Sequence, residues 1–344
     1  MSQAGRAVAA PGIAAVVLAA GAGKRMQDES RAKVCHEVAP GVTAISFLLG
    51  ELAKAGVNLV SVVVGVRAEE VRAEVAPRFP SAIFAHQAEQ LGTGHATRCG
   101  AQPLLAAGAA ETLLVAMGDK MTTARVLRRL IRRHREAGAD LTFAASPCAG
   151  RGEQGRVVVD EDARPLAIVE TPDLVAARAW GALEAALGER DPLPSGRVTE
   201  ILEAALPASG KVPPVLRGLL EAASVEATLS SRRARELAPG ARATVALPGR
   251  DADPDWVEEH APLVNEALYA FSPRGLRFAL ERMSPDNAQG EIYLPDAVAE
   301  LRARPEEFTV AVCEVDPSEI ATFNTREQLE EVRASVARWM GEGG

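Results

Sequence analysis

The chain has 344 residues, of which 47% are apolar and 24% charged, so it can form a large hydrophobic core and is not disordered along its whole length. Its 38 basic and 46 acidic residues give a net charge of −8, which excludes an overall positive field for nucleic acid or an anionic membrane. At roughly 150 residues per domain, this length predicts about two domains.

Cysteine spacing and hydropathy limit the class of protein further. The four cysteines lie far apart without a C-x-x-C pair, a pattern that favours reduced thiols over a zinc site or a disulfide framework. The apolar stretch from Ile13 to Gly23 is too short to span a bilayer, and the lysine-rich start of a signal peptide does not precede it. We therefore expect a soluble, cytoplasmic protein that binds neither nucleic acid nor a membrane.

The first half of the chain alternates between apolar runs and helical patterns. Residues 1–12 are small and unpatterned and are predicted to be a loose tail. The continuous apolar run from Ile13 to Ala20 predicts a strand buried on both faces. The further predicted elements are strands at 58–64, 112–116, 141–145 and 156–159 and helices at 44–55, 96–107 and 124–137. This alternation predicts an α/β, Rossmann-like fold with a mostly parallel sheet and helices on both faces.

The sequence changes character from residue 171 to residue 261, where Ala, Leu, Arg and Glu dominate and prolines interrupt the pattern. Helical spacing at 201–206 and 216–229 predicts a helical insert or a small subdomain. Strand patterns return at 264–271 and 308–315, and a last helix is predicted over 326–340. We therefore expect one main domain, formed by residues 13–170 plus 262–344, that the insert 171–261 interrupts.

The first predicted strand leads into a glycine loop with two basic residues, Leu18-Ala-Ala-Gly-Ala-Gly-Lys-Arg-Met26. Small residues at such a position let backbone N–H groups approach an anion closely. A dinucleotide fingerprint needs a glycine in place of Met26, and a Walker P-loop needs Ser or Thr in place of Arg25, so neither motif fits. A simple strand exit explains the glycines but neither Arg25 nor Lys33. The loop matches the L-A-A-G-x-G-x-R-M loop of sugar nucleotidyltransferases letter for letter.

Further motifs of the same kind follow in order along the chain. They are Lys33-Val-Cys-His36, Gln87–Ala96, Gly118-Asp119, Gly155-Arg156, Ile168–Glu170, Val264-Asn265, Asn287–Asp296 and Phe323–Leu329. With them the chain resembles the uridylyltransferase domains of N-acetylglucosamine-1-phosphate uridyltransferases, within the sugar-1-phosphate nucleotidyltransferases. The resemblance implies transfer of a nucleotidyl group from UTP to a sugar-1-phosphate, N-acetylglucosamine-1-phosphate or a related hexose phosphate, with release of pyrophosphate.

The resemblance also implies roles for individual residues. Arg25 and Lys33 match the catalytic cations, and Asp119 and Asn324 match the positions that bind Mg²⁺, the implied cofactor. The implied nucleotide-binding residues are Leu18, Ala19, Ala20, Gly21, Gly23, Gln87, Gly92 and Thr93. The implied sugar-binding residues are Gly155, Glu170, Asn265 and Tyr293. Taken alone, Asp119 fits a helix cap as well as a metal ligand, and Tyr293 fits ordinary core as well as a sugar pocket.

Several departures from the family pattern fall near the sugar end and leave the identity of the sugar open. Asn265 is followed by Glu-Ala rather than Thr-Gly, and Tyr293-Leu is followed by Pro rather than Thr. The sequence contains no hexapeptide β-helix period of the family's acetyltransferase domain. Three alternatives therefore remain: another base, another sugar-1-phosphate, or a catalytically silent homologue whose insert is a binding or regulatory module. The insert is also the expected surface for any oligomer.

Overall fold

The computed structural model describes residues 12–21, 23, 26, 31–108, 110–148, 152–207 and 209–342. The strands are β1 Ile13–Ala19, β2 Glu37–Ala39, β3 Val42–Thr43, β4 Leu59–Val64, β5 Ile83–His86, β6 Thr112–Met117, β7 Lys120–Thr122, β8 Leu141–Pro147, β9 Arg156–Val159, β10 Pro165–Val169, β11 Leu193–Pro194, β12 Thr228–Leu229, β13 Val245–Leu247, β14 Arg250–Ala252, β15 Leu263–Phe271, β16 Val310–Glu314 and β17 Ile320–Thr322. The helices are α1 Ala44–Lys54, α2 Ala68–Val75, α3 Thr93–Ala107, α4 Ala124–Glu136, α5 Thr171–Glu189, α6 Ser195–Ala204, α7 Pro214–Val225, α8 Ser231–Leu237, α9 Pro254–Glu259, α10 Pro273–Arg282, α11 Ala297–Arg302 and α12 Arg326–Glu342. In this part of the chain, no helix is both long and apolar enough to cross a membrane.

A nine-stranded sheet forms the centre of the described structure. Its main path runs β10-β9-β15-β6-β1-β4-β5, with β8 paired to β15 and β16 paired to β8. Parallel pairs join β1 to β4 and β6, β4 to β5, and β8 to β16. Strand β15 is antiparallel to β6, β8 and β9, and β10 is antiparallel to β9. The other seven of the nine strands therefore share one direction, which confirms the predicted mostly parallel sheet.

The two faces of the sheet carry separate hydrophobic cores. Successive residues of a strand point to opposite faces, so Ala15 and Val17 of β1 pack with α1 and α4, whereas Ala14 and Val16 pack with α3, α10 and α11. Continuous apolar strands are needed for a sheet that is buried in this way. The prediction of helices on both faces is confirmed.

Most predicted elements of the sheet lie within about two residues of their observed bounds. Helix α1 begins at residue 44 because Thr43 and Ser46 form a capping box there. The prediction of one helical pattern over 216–229 was wrong at its end. Helix α7 stops at Val225, and residues 228–229 pair with β11, which lets Leu229 enter the core of the insert.

The segment 171–261 follows β10 directly and ends just before β15, so both of its ends lie at one side of the sheet. It contains α5 to α9 and two small two-stranded sheets, β11-β12 and β13-β14. A separate hydrophobic cluster lies within it and includes Trp180, Leu202, Leu219 and Leu229. Ala288 is the member of this cluster that comes from outside the segment, among the buried residues described.

Candidate functional site

A cleft of about 350 Å³ opens beside the carboxyl ends of β1 and β6. Open α/β sheets place ligands at this edge. The cleft is lined by every predicted nucleotide-binding residue, Leu18, Ala19, Ala20, Gly21, Gly23, Gln87, Gly92 and Thr93, and also by Lys33, Asp119 and Asn324. The fold therefore brings together residues that are up to 306 positions apart, from Leu18 to Asn324. Arg25, the second predicted cation, lies outside the described residues.

The segment from Gln87 to Thr93 forms one wall of this cleft. Gln87 is buried, and its Nε2 donates to the carbonyl oxygen of Gly92 at 3.2 Å. Gln90 ties the segment to the glycine loop, because its Nε2 donates to the carbonyl oxygen of Ala20 at 2.7 Å. These bonds fix the segment before α3 begins at Thr93.

A second chain segment, which contains Ile292 and Leu294, supports the same wall through hydrogen bonds of its backbone groups. Gly94 N donates to the carbonyl oxygen of Ile292 at 2.7 Å, and Leu294 N donates to Thr93 Oγ1 at 2.9 Å. Gly92 has φ 102° and ψ 178°, and a Cβ there would lie 2.5 Å from the Ile292 carbonyl oxygen. This backbone region is almost restricted to glycine. The motif Asn287–Asp296 therefore supports the wall formed by Gln87–Thr93.

Three side chains form a compact polar group at another wall of the cleft. Lys33 Nζ forms an ion pair with Asp119 Oδ2 and donates to Asn324 Oδ1 at 3.0 Å. The ammonium also lies 5.4 Å from the centre of the Phe323 ring. Both partner side chains are brought there by the pairing of β7 with β17, in which Lys120 lies opposite Thr322.

The carboxylate of Asp119 and the amide oxygen of Asn324 fit a magnesium ion. Both oxygens contact the Lys33 ammonium, so they converge on a position that favours positive charge. Oxygen donors are those that Mg²⁺ prefers, and it usually takes only one or two carboxylates, with phosphates and waters completing its shell. Within the described ranges no group of three or more His, Cys, Asp and Glu side chains could hold a metal.

A second cavity of about 800 Å³ adjoins the first, and Asn324 lines both. Its walls include Glu170, Lys120 and Glu266 from the sheet side, and Gln328 from α12. The segment 171–261 contributes Lys211 and neighbouring residues to the same cavity. The two cavities therefore meet at the candidate metal site.

The predicted sugar-binding residues come together beside this second cavity. Asn265 N donates to the carbonyl oxygen of Gly155 at 2.9 Å, and a Cβ on Gly155 would lie 2.6 Å from Glu170 Oε1. Asn265 Nδ2 donates to the hydroxyl of Tyr269 at 2.7 Å. Tyr293 is buried, and its hydroxyl accepts from Gln289, whose side chain lines the cavity. The strand pairs β10-β9 and β9-β15 explain how residues 95 positions apart become neighbours.

Three interacting carboxyl groups have raised pKa values, and one of them, Glu170, lines this cavity. Burial raises the pKa of Glu170 to about 7, that of Asp173 to about 6 and that of Asp296 to about 8. The charge of Asp173 raises the pKa of Glu170 further, and the charge of Lys211 lowers it. Glu170 therefore changes its charge near neutral pH.

Sequence reasoning missed a buried ion pair between Lys120 and Glu266. Lys120 Nζ lies 3.3 Å from Glu266 Oε2, and the two side chains are 7% and 1% exposed. Ser146 Oγ donates to Glu266 Oε1 at 2.5 Å. In the sequence, Glu266 stands out only as a departure from the family's Asn-Thr-Gly pattern, and no motif marks Lys120 as its partner.

Replacing Lys120 with methionine should destabilise the protein by on the order of 3 kcal/mol, because the carboxylate of Glu266 would keep its burial and lose the ammonium. The double variant Lys120→Met/Glu266→Gln should recover much of this loss, since it removes both charges. Urea unfolding of both variants measures the difference. A single variant as stable as the unmodified protein would contradict the expected cost.

Comparison with known proteins agrees with this geometry. The family model for MobA-like NTP transferase domains matches residues 15–208. Bifunctional protein GlmU from Mycolicibacterium gilvum is 28% identical over 94% of this chain and 49% of its own length. Bifunctional protein GlmU from Pelobacter propionicus is 41% identical over 47% of this chain and 34% of its own length. Where a curated relative matches most of this chain, the chain spans about half of the relative's length.

A solved structure supports the fold independently of sequence. A putative glucose-1-phosphate thymidylyltransferase from Bacillus anthracis, in complex with a sucrose, superposes with a TM-score of 0.55 over 94% of both chains, at 10% identity. The sheet, the glycine loop and the cleft define an enzyme of the nucleotidyltransferase class. The chain belongs to the family of MobA-like NTP transferase domains. The resemblance to the nucleotidyltransferase part of such proteins, which the motifs predicted, is confirmed.

Proposed function

We propose that this chain transfers the uridylyl group of UTP to a sugar-1-phosphate, giving a UDP-sugar and pyrophosphate, with Mg²⁺ as cofactor. One observation carries the proposal: two cavities meet at Asn324, beside the ion pair of Lys33 and Asp119. A two-substrate reaction between large anions requires two such compartments with a cation at their junction.

The first cavity would hold the nucleotide. Gln87, Gly92 and Thr93 would bind the base, because a buried amide and a close backbone approach can read its polar edge. The glycine loop would approach the triphosphate through its backbone N–H groups. Support comes from the hydrogen bonds that fix the side chains of Gln87 and Gln90 in this wall.

The reaction itself needs positioning and charge neutralisation rather than a protein nucleophile. An oxygen of the sugar phosphate is already ionised and attacks the α-phosphorus, while pyrophosphate leaves with the electron pair of the broken P–O bond. Lys33 would neutralise the charge that develops between the two phosphates, and Arg25 would contact the triphosphate. Bound at Asp119 and Asn324, Mg²⁺ would supply Lewis-acid polarisation of the phosphate oxygens.

The second cavity would hold the sugar. Glu170 in its ionised form accepts hydrogen bonds from hydroxyl groups, and Asn265 and the backbone of Gly155 lie against it. The carboxyl group of Glu170 should be ionised above pH about 7, so sugar binding is expected to strengthen as the pH rises through that value. Tyr293 would act indirectly, because its hydroxyl group holds the side chain of Gln289 by a hydrogen bond.

A pyrophosphate-release screen tests the proposal. UTP, dTTP, CTP and GTP are each combined with a panel of sugar-1-phosphates in the presence of Mg²⁺. We expect turnover with UTP and with N-acetylglucosamine-1-phosphate or a related hexose phosphate. Preference for another nucleotide would contradict the uridylyl assignment, and no turnover with any pair would favour a silent homologue.

Replacing Gly92 with alanine should weaken nucleoside triphosphate binding at least about tenfold. The backbone strain costs about 1 to 3 kcal/mol, and the new Cβ would press against the Ile292 carbonyl oxygen. The KM for the nucleotide measures the effect. Gly108→Ala is the control, because Gly108 also has positive φ, at 59°, but has open space around it. Equal nucleotide affinity in both variants would contradict a supporting role for the Ile292 contact.

We also propose that residues 171–261 form a subdomain inserted into a nucleotidyltransferase domain of residues 13–170 plus 262–344. The hydrophobic cluster around Trp180 and Leu202 supports this division. A cytoplasmic location is proposed as well, and the four free cysteines are in keeping with it.

A further inference from the structure

We propose that Lys211, from the segment 171–261, helps to bind the sugar-1-phosphate in the second cavity, called here the acceptor cavity, where its ammonium and the side chains of Gln289 and Glu170 lie on the same wall. The affinity for the sugar-1-phosphate would then depend on the segment 171–261 as well as on residues of the sheet. This inference rests on the function proposed above, since it concerns the same acceptor cavity.

The connection between α6 and α7 forms part of the wall of the acceptor cavity. Pro207, Ser209, Lys211 and Pro213 of this connection line the cavity. Glu170, Gln154 and Gln289 line the same cavity from outside the insert or at its boundary. A sugar bound between these groups would therefore contact both the insert and the main body of the protein.

Lys211 is joined to the acceptor side by a defined contact. Its Nζ donates to Gln289 Oε1 at 3.4 Å, and Gln289 Nε2 donates to the hydroxyl of Tyr293 at 2.8 Å. These two bonds fix which end of the Gln289 amide carries the oxygen. Among the described residues Lys211 has no carboxylate within 4 Å, whereas Lys120 of the same cavity is bound to Glu266. The Lys211 ammonium therefore keeps N–H groups that can donate to an oxygen atom of the sugar-1-phosphate.

The charge of Lys211 also acts on Glu170. Burial and Asp173 raise the pKa of that carboxyl, and Lys211 and the amide of Asn265 lower it. Other titratable groups that interact with Glu170 are Tyr269, Tyr293 and Asp296. Lys211 is the cation in this described set, so its removal should leave Glu170 protonated to a higher pH and less able to accept hydrogen bonds from hydroxyls.

Lys211→Met tests this role with little change in side-chain volume. We expect the KM for the sugar-1-phosphate to rise about tenfold, with the KM for UTP unchanged, because a charged hydrogen bond to the acceptor side is lost. Lys211→Arg should keep most of the affinity, since it keeps the charge. Arg217→Met is the matched control, because it removes an exposed positive charge from the insert at a position that does not line the cavity.

The pH profile distinguishes a role of Lys211 in sugar-1-phosphate binding from a merely structural role. The value of kcat/KM for the sugar-1-phosphate should rise with pH as Glu170 ionises, and the midpoint of this rise should shift to higher pH in Lys211→Met. Glu170→Gln should remove the same rise. A Lys211→Met enzyme with an unshifted midpoint and an unchanged acceptor KM would overturn the inference alone. An unmodified protein that turns over no pair of substrates would overturn the proposed function, and this inference with it.

Discussion

Replacing Asp119 or Asn324 with alanine should reduce turnover to less than about 1% of the unmodified enzyme while leaving the fold intact. The two side chains lie at the junction of the cavities and present the oxygens that fit Mg²⁺. Each substitution removes one oxygen donor of the proposed metal site. Lys33 keeps its hydrogen bond to Asn324 when Asp119 is replaced and its ion pair with Asp119 when Asn324 is replaced, so each variant should stay folded.

The rate as a function of Mg²⁺ concentration measures this prediction, and thermal unfolding tests the fold. Asp251→Ala and Asn58→Ala are the matched controls, because both residues are exposed and neither lines the cleft. They should keep the full rate. An Asp119→Ala enzyme with a nearly unmodified rate at saturating Mg²⁺ would refute the metal assignment.

Replacing Lys33 with methionine should slow the reaction roughly a hundredfold, about 3 kcal/mol of transition-state stabilisation. Lys33 is mostly buried, and its ammonium contacts both candidate metal ligands. A cation held in this way neutralises charge without reorganisation when the phosphates react. Because it acts on the phosphates and not on the sugar, every accepted sugar-1-phosphate should be slowed to the same extent. The same loss is expected for Arg25→Ala on the evidence of the sequence motif.

Single-turnover rates with several nucleotides and acceptors measure the Lys33 effect. Arg31→Met is the control, since it removes a positive charge two positions earlier, from an exposed residue that does not line the cleft. A Lys33→Met enzyme that changes its preferred nucleotide at an unchanged rate would show that the phosphate role is wrong.

The sheet could be predicted from sequence because its strands are locally distinctive. The run Ile13–Ala19 is apolar at every position, and buried parallel strands need such runs. Short elements were missed for the opposite reason. Strand β7 has three residues and β17 has three, and segments of that length carry no readable period. Their pairing nevertheless positions Asp119 and Asn324.

Part of the candidate site could likewise be predicted from the sequence, and part could not. Lys33 belongs to a continuous motif, so its place beside the glycine loop could be predicted. The backbone that holds it depends on a distant residue, because Ala32 N donates to both carboxylate oxygens of Glu70 at 2.9 Å. No local pattern links these two positions, since they lie in different elements.

The sequence by itself determined the long strands and helices of the sheet, the family motifs and the types of side chain available for phosphate and metal. The tertiary structure alone decided which of those side chains meet. It joined Asp119 to Asn324 through β7 and β17, buried Lys120 against Glu266, and brought Lys211 to the second cavity. The physical reason is that periodicity records only which face of an element is buried. Contacts between side chains one or two hundred residues apart depend on how those buried faces pack together.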